Sequence, residues 1–496
     1  MTQLVTINPN RQVGSQDLPD GTAAILGLLG RNTLWLWLDR GLLQVGTLVA
    51  GLLLVRYLGP ANFGIYSIAL SVGTVIGIGM DLGFTRYAAR AVAASPQEGS
   101  AILASGLFVS AVMLVGEVIG LLGMAAWRKW YIACLCAGLV LGNLQRIATL
   151  SAAFLTAELR SRAILLGSFI ARLGTIAVIG LVIWQRLSVT AVLLGVSVIS
   201  TLVVSIRLWQ LRPYLTSSES KAWSQLNRVV TQAWPFFSYS LTQIGYEQLS
   251  VVGLSLVASR EEVGWFSSAL VIANVFPQWT FASADALLPL MTRLFESRRV
   301  PEMLQLGQRI VEFLLIISVP VAVALSVFAP ESCRLLGPRF ASSALVLRLL
   351  SIRLLLSVLI GAVGEGFLIA TDRVKERRNA AAAALAILAV LTLLLGHIWG
   401  AAGAAVALIA ASTVRLLQYI HICSRINLSL RWRGGLWTTA LGGLAMAITC
   451  LHMPKAMSWW IRPAPAVFVY FAVLAMVGRN RLADAWRTLG ECVTGT

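Results

Sequence analysis

An all-α integral membrane fold, with about fourteen transmembrane helices in two pseudo-symmetric bundles around a central cavity, follows from three observations in the sequence. The chain of 496 residues is 58% hydrophobic and only 12% charged. Its mean hydropathy is +0.80, which leaves too few polar side chains to cover a water-exposed surface. The apolar residues gather into runs of about 17 to 25, the length that crosses a bilayer. One of these runs occurs twice: Phe63 to Leu70 (FGIYSIAL) returns as Val263 to Leu270 (VGWFSSAL), with Gly64, Ser67, Ala69 and Leu70 matched by Gly264, Ser267, Ala269 and Leu270. Helical spacing continues each copy as a polar stripe, Thr74 and Asp81 after the first, Asn274, Gln278 and Asp285 after the second. A duplicated polar stripe inside hydrocarbon predicts two lobes facing a common cavity.

Taken in order, the expected spans centre near Gln44, Gly73, Val112, Leu141, Ile170, Val198, Tyr246, Asn274, Ile317, Leu355, Leu388, Ala410, Leu444 and Val469. Ahead of the first, Thr22 to Gly30 has the character of a short interfacial helix. Residues Met1 to Asp20 are polar without an apolar core, so a cleaved signal peptide is not expected and the first span is expected to act as the insertion signal. Five segments result: a cytoplasmic N-terminal stretch over 1–30, a six-span bundle over 31–211, a cytoplasmic connector over 212–232, a second six-span bundle over 233–425, and two additional spans with a cytoplasmic tail over 426–496. With the N-terminus inside, 24 Lys and Arg fall in the inner segments and 9 in the outer loops, which orients the chain with both termini in the cytoplasm. Most of the formal charge of +18 is then topology, and nucleic acid is excluded as a partner because the basic residues form no stripe on a soluble face. Tryptophans near span ends, such as Trp35, Trp184, Trp399 and Trp459, are interfacial anchors.

Six cysteines spread along the chain and three histidines complete no metal-ligand set. The outer loops are too short for a catalytic domain, so the chain is not expected to be an enzyme; a membrane glycan polymerase or ligase, which needs a large outer loop, is disfavoured.

Charges inside the spans carry the functional signal, because a charged side chain facing lipid costs about 2.5 to 3.5 kcal/mol on insertion scales. Arg40 and Gln44 share a face of the first span; Asn143, Arg146 and Thr149 share one on the fourth; Ser168, Arg172 and Thr175 on the fifth; Ser240, Gln243 and Glu247 on the seventh; Arg353, Ser357, Gly361 and Glu365 on the tenth. Arg348 and Arg415 lie close enough to a membrane face to snorkel. Arg146, Arg172 and Arg353 sit near mid-depth, where a guanidinium fork suits a diphosphate. Each of these charges also has a plain structural reading as an inter-helix pair. The candidate anion-binding set is Arg40, Arg146, Arg172 and Arg353, lined by Gln44, Thr74, Asn143, Gln243, Asn274 and Gln278. Asp39, Asp81, Glu247, Asp285 and Glu365 are candidates for ion coupling.

The run Arg56, Tyr57, Leu58, Gly59, Pro60, then Phe63-Gly64 and Tyr66, followed by Asp81-Leu82-Gly83 and Arg86, resembles the opening of Wzx-type flippases of the polysaccharide-biosynthesis branch of the multidrug/oligosaccharidyl-lipid/polysaccharide exporter superfamily. The glycine-alanine hairpin Gly400 to Ala405 is similar to that family's turn into a late span. The resemblance implies a V-shaped pair of bundles that flips undecaprenyl-diphosphate-linked oligosaccharide by alternating access for O-antigen or exopolysaccharide synthesis. It implies a bacterial inner-membrane location, no cofactor beyond an H+ or Na+ gradient, a monomer, and contact with glycan polymerase machinery. A multidrug exporter of the same superfamily is the alternative; it would favour an acidic cavity.

Overall fold

The computed structural model describes residues 22–81, 105–108, 110–112, 114–119, 130–157, 161–215, 246, 248–277, 291–292, 294–426, 433–453 and 463–477. Every regular element among them is helical. In chain order these are α1 (Thr22–Asp81), α2 (Ser105–Ile119), α3 (Trp130–Ala157), α4 (Ser161–Trp184), α5 (Val189–Leu215), α6 (Gln248–Val257), α7 (Arg260–Ala273), α8 (Val300–Val327), α9 (Ala329–Leu336), α10 (Ser343–Ile360), α11 (Val374–Arg425), α12 (Arg433–His452) and α13 (Pro463–Val477). Seven helices among the described residues are long and apolar enough to cross a membrane. Their outward residues are apolar as well: Val198 and Ile398 are each 67% exposed, which hydrocarbon tolerates and water does not.

Two of the helices are pairs of crossings. At 1.5 Å per residue, the 52 residues of α11 would reach roughly 78 Å if straight, more than twice the ~30 Å hydrocarbon thickness. The chain breaks them with glycine: Gly59 at φ 71° and ψ 175° inside α1, and Gly400 at φ 55° inside α11. Residues with a Cβ hardly adopt either conformation. Pro60 follows the first break and opens the next arm, where its missing N–H is harmless. The stretch from Thr22 joins the first span in one helix instead of forming a separate interfacial one.

The chain divides into two compact units, one of Met1–Tyr57 with Ile65–Leu249, the other of Leu58–Gly64 with Ser250–Thr496. In the first, the far arm of α1 lies backbone to backbone against α3. A Cβ built on Gly73 would overlap the Gly138 carbonyl, one on Gly138 the Ala69 carbonyl, and one on Gly142 the Gly73 carbonyl. This is the small-residue packing that brings helices together in lipid, where burial of apolar surface gives no drive. α5 packs along both α3 and α4.

In the second unit α10 is the central helix, flanked by α7, α8 and α11. It passes into a π-helix, Gly361–Leu368, whose Phe367 and Val363 are fully buried with Tyr419 of α11. α12 and α13 pair with each other and close on α8, where the Tyr470 hydroxyl donates to the Ile316 carbonyl at 3.0 Å.

The duplicated glycines Gly64 and Gly264 meet here as well. A Cβ on Gly64 would overlap the Arg260 carbonyl and one on Gly264 would overlap the Pro60 carbonyl. Arg260 is the counterpart of Pro60, so the crossing is reciprocal: each copy places its glycine on the other copy's first helical residue. The copies begin that helix differently. The second uses a capping box in which the Ser259 hydroxyl accepts from the Glu262 N–H at 3.3 Å and the Glu262 carboxylate accepts from the Ser259 N–H at 3.4 Å.

Candidate functional site

In the first unit, α3 carries Asn143 and Arg146 on one face, one turn apart, and both are buried, at 0% and 7% exposed. The Asn143 amide bridges α2 and α3: Nδ2 donates to the Ser110 carbonyl at 3.2 Å and to Glu117 Oε2 at 3.3 Å, while Oδ1 accepts from Arg146 Nε at 3.4 Å. The Arg146 guanidinium also donates to the Ser110 hydroxyl, which in turn donates to the Gly106 carbonyl at 2.5 Å. A cation, an amide, a hydroxyl and a carboxylate thus share one polar seam, the condition under which a buried charge persists in hydrocarbon.

A second cluster joins α1, α4 and α5. The aliphatic stem of Arg172 lies on Gly46, whose absent side chain makes room for it: a Cβ there would stand 2.9 Å from Arg172 Cδ. The guanidinium is within electrostatic reach of Asp39 and Tyr66. Arg207 of α5, 6% exposed, shares Asp39 as its counter-charge and donates from Nη1 to the Ala148 carbonyl at 2.5 Å. Both guanidinium groups are therefore within electrostatic reach of one carboxylate. Arg207 falls within the bundle expected over 31–211 but was not among the candidate site residues, since an arginine late in a span looks like an end charge. Gly167, one helix away at a position that leaves space over Arg207 Nε, is the signal that was present.

In the second unit Arg353, 8% exposed, donates from Nη1 to Asn274 Oδ1 at 3.1 Å. This joins two predicted site residues, by a geometry the spacing did not foresee. Asn274 does not continue the helical stripe; it caps α7, its N–H donating to the Leu270 carbonyl at 2.9 Å, and a turn follows. The turn covers 274–276, and Pro277 after it has no N–H to offer the Ala273 carbonyl. The expected stripe from Arg353 and Ser357 to Glu365 is also rephased, since the π-helix replaces the 3.6-residue repeat from Gly361 onward.

The remaining predicted residues are placed as follows. Gln44 is half-buried on α1, and Thr74 is half-buried with its hydroxyl spent on the Leu70 carbonyl at 2.8 Å. Thr149 likewise bonds back to Gln145 at 2.8 Å. Arg415, expected to snorkel, is instead 6% exposed and donates from Nε to the Tyr419 hydroxyl at 2.9 Å; Arg348 is exposed. Arg40, Asp81 and Glu365 stand on described helices, but their side chains lie outside the described residues, as do Gln243, Glu247, Gln278 and Asp285 altogether.

Buried arginines held by polar side chains on helices that span hydrocarbon define a multi-pass membrane protein with a polar interior. Its fold is similar to that of the lipid II flippase MurJ in an inward closed conformation, with a TM-score of 0.72 at 13% identity over 91% of this chain and 99% of that one. It is also similar to a multidrug resistance MATE family transporter of the MOP superfamily, inward-facing (TM-score 0.56, 14% identity, 79% of this chain and 96% of that one) and outward-facing (0.54, 14%, 78% and 95%). A sequence search of curated proteins finds no match. The profile of the polysaccharide biosynthesis protein family matches residues 29–295, and the chain belongs to that family.

Proposed function

We propose that this protein is a flippase that carries undecaprenyl-diphosphate-linked oligosaccharide from the cytoplasmic to the outer leaflet of the bacterial inner membrane, for synthesis of a cell-surface polysaccharide. The observation that carries the reading is Arg146: a cation at 7% exposure in the middle of a spanning helix, held by neutral Asn143 and Ser110. A guanidinium so held suits a diphosphate, which it can grip bidentately and shelter from hydrocarbon. Membership of the family and the likeness of the fold to a lipid II flippase support a lipid-linked substrate. Arg172 and Arg353 are the companion anion groups, and Arg40 completes the set. Alternating access needs no bond to be broken, only two states of the protein with different affinities for the headgroup. An H+ or Na+ gradient drives the cycle through interior carboxylates. Both termini lie in the cytoplasm, the protein acts as a monomer, and glycan polymerase machinery receives its product.

Replacing Arg146, Arg172 and Arg353 singly with Ala in a strain that depends on this protein for its surface polysaccharide tests the reading. Loss of polysaccharide with each stable variant is expected, and full complementation by all three would reject the anion site. The fold's likeness to multidrug transporters supports a second reading as an exporter of cationic drugs. Ethidium extrusion by wild-type cells, with no effect on polysaccharide, would select it.

A further inference from the structure

Glu117 is a carboxylate without an assigned role, on a stretch that is otherwise apolar (Ala111 to Ile119, AVMLVGEVI). It is half-buried on α2. An acid there is retained only where something holds it, and what holds it is the amide that also holds Arg146. Asn143 has one acceptor end and one donor end. The Ser110 carbonyl takes one Nδ2 hydrogen at 3.2 Å and so fixes which end faces which helix: the donor faces Glu117 at 3.3 Å, the acceptor faces Arg146 Nε at 3.4 Å. Asn143 is fully buried, and this chain of bonds runs in one direction from cation to anion. The other groups that act on Glu117 among the described residues are the Arg146 guanidinium itself, within electrostatic reach, and the Cys136 thiol, both from α3. Arg146 and Glu117 are thus a neutral couple joined through one amide.

The charge of that couple is set by one proton. With Glu117 ionised the guanidinium is compensated; with Glu117 protonated the seam carries a net positive charge and its Arg146 end attracts an anion more strongly. We infer that Glu117 is the proton-responsive group that sets the affinity of Arg146 for the phosphate oxygens of a lipid diphosphate. The inference rests on the flippase reading for the identity of the anion and deepens it by naming the group that links headgroup to proton. Because coupling between two binding sites is reciprocal, an anion at Arg146 draws a proton from water onto the Glu117 carboxylate, and its departure returns that proton. The O–H bond of the carboxyl group is the one bond that forms and breaks.

The test is binding of undecaprenyl diphosphate to the purified full-length protein across the mildly acidic to mildly alkaline range. Wild-type affinity is expected to tighten as pH falls, by on the order of tenfold, a usual size for coupled sites. Glu117→Gln keeps an acceptor for Asn143 while fixing the neutral state, so it is expected to bind at the wild-type low-pH affinity at every pH. Proton uptake on adding the same lipid to wild type in weakly buffered detergent gives a measurement that needs no variant, and uptake is expected. Wild-type binding that is independent of pH, a wild-type slope kept by Glu117→Gln, or binding without proton uptake overturns the inference and leaves the flippase reading standing. No binding of the lipid at any pH overturns the flippase reading, and the inference with it.

Discussion

Asn143 is the residue on which the polar interior of the first unit depends. Its amide satisfies three groups at once, the Ser110 carbonyl, the Glu117 carboxylate and the Arg146 guanidinium, and no water reaches it to take over. Asn143→Leu has a similar volume and no polar end, so it leaves a cation and an acid facing an apolar group. Polar contacts between membrane helices are worth about 1 to 2 kcal/mol in model peptides, and a lowered thermal midpoint of the purified variant is expected. An unchanged midpoint would mean that the Asn143 amide does not hold the seam together. Arg146 and Asn143 were legible in the sequence, because two polar residues three apart in an apolar span have one face to share and few reasons to be there. Arg207 was not, because an arginine near a span end has the same appearance whether it snorkels or turns inward; its bond to Ala148 belongs to tertiary packing. Arg415 shows the same ambiguity resolved the same way, toward Tyr419.

At the level of the element, the duplicated octapeptide explains why one glycine in each copy has no substitute. Gly64 and Gly264 meet the first residue of the other copy's helix through backbone atoms, which cannot rotate away as a side chain can. Gly264→Val is therefore expected to destabilise by about 1 to 3 kcal/mol, the usual range for overpacking. Ser259→Ala removes the cap of the same helix and is expected to cost about 0.5 to 2 kcal/mol. Thermal denaturation of each variant in detergent checks both values, and a Val substitution with no loss would show that the helices part freely at this crossing. The apolar runs themselves were plain in the sequence, since length and hydropathy decide them. The interruptions were harder. The regular helix ends at Ala273, ahead of the residues expected to continue a stripe. The glycine-rich run from Gly361 to Gly366 lets α10 widen into a π-helix, and no period of 3.6 reports that in advance.

At the level of the whole molecule, the helices, the kinks at Gly59 and Gly400 and the 24-to-9 division of basic residues form one topological proposal. Reporter domains that are active only outside the cytoplasm are expected to be active when inserted near Arg339 and inactive when fused within 216–232 or after Thr496. The reverse pattern would invert the chain and place the Arg146 seam at a different depth relative to the incoming headgroup. The sequence revealed the family through the Arg56 to Arg86 motif and the fold through composition, while the pairing of Arg353 with Asn274 required the three-dimensional arrangement of two distant helices.

The central claim, that buried guanidinium groups carry a lipid diphosphate across the membrane, is tested most directly by flipping in proteoliposomes. Undecaprenyl-diphosphate-linked oligosaccharide is loaded in one leaflet, and its arrival in the other is read by a glycan-cleaving enzyme confined to that side. Wild-type protein is expected to expose the glycan, and Arg146→Ala to slow the flipping by about tenfold or more, the loss of roughly one charge-assisted hydrogen bond of about 1.5 to 3 kcal/mol. Equal rates for wild type and Arg146→Ala, or no glycan exposed by wild type, would contradict the account.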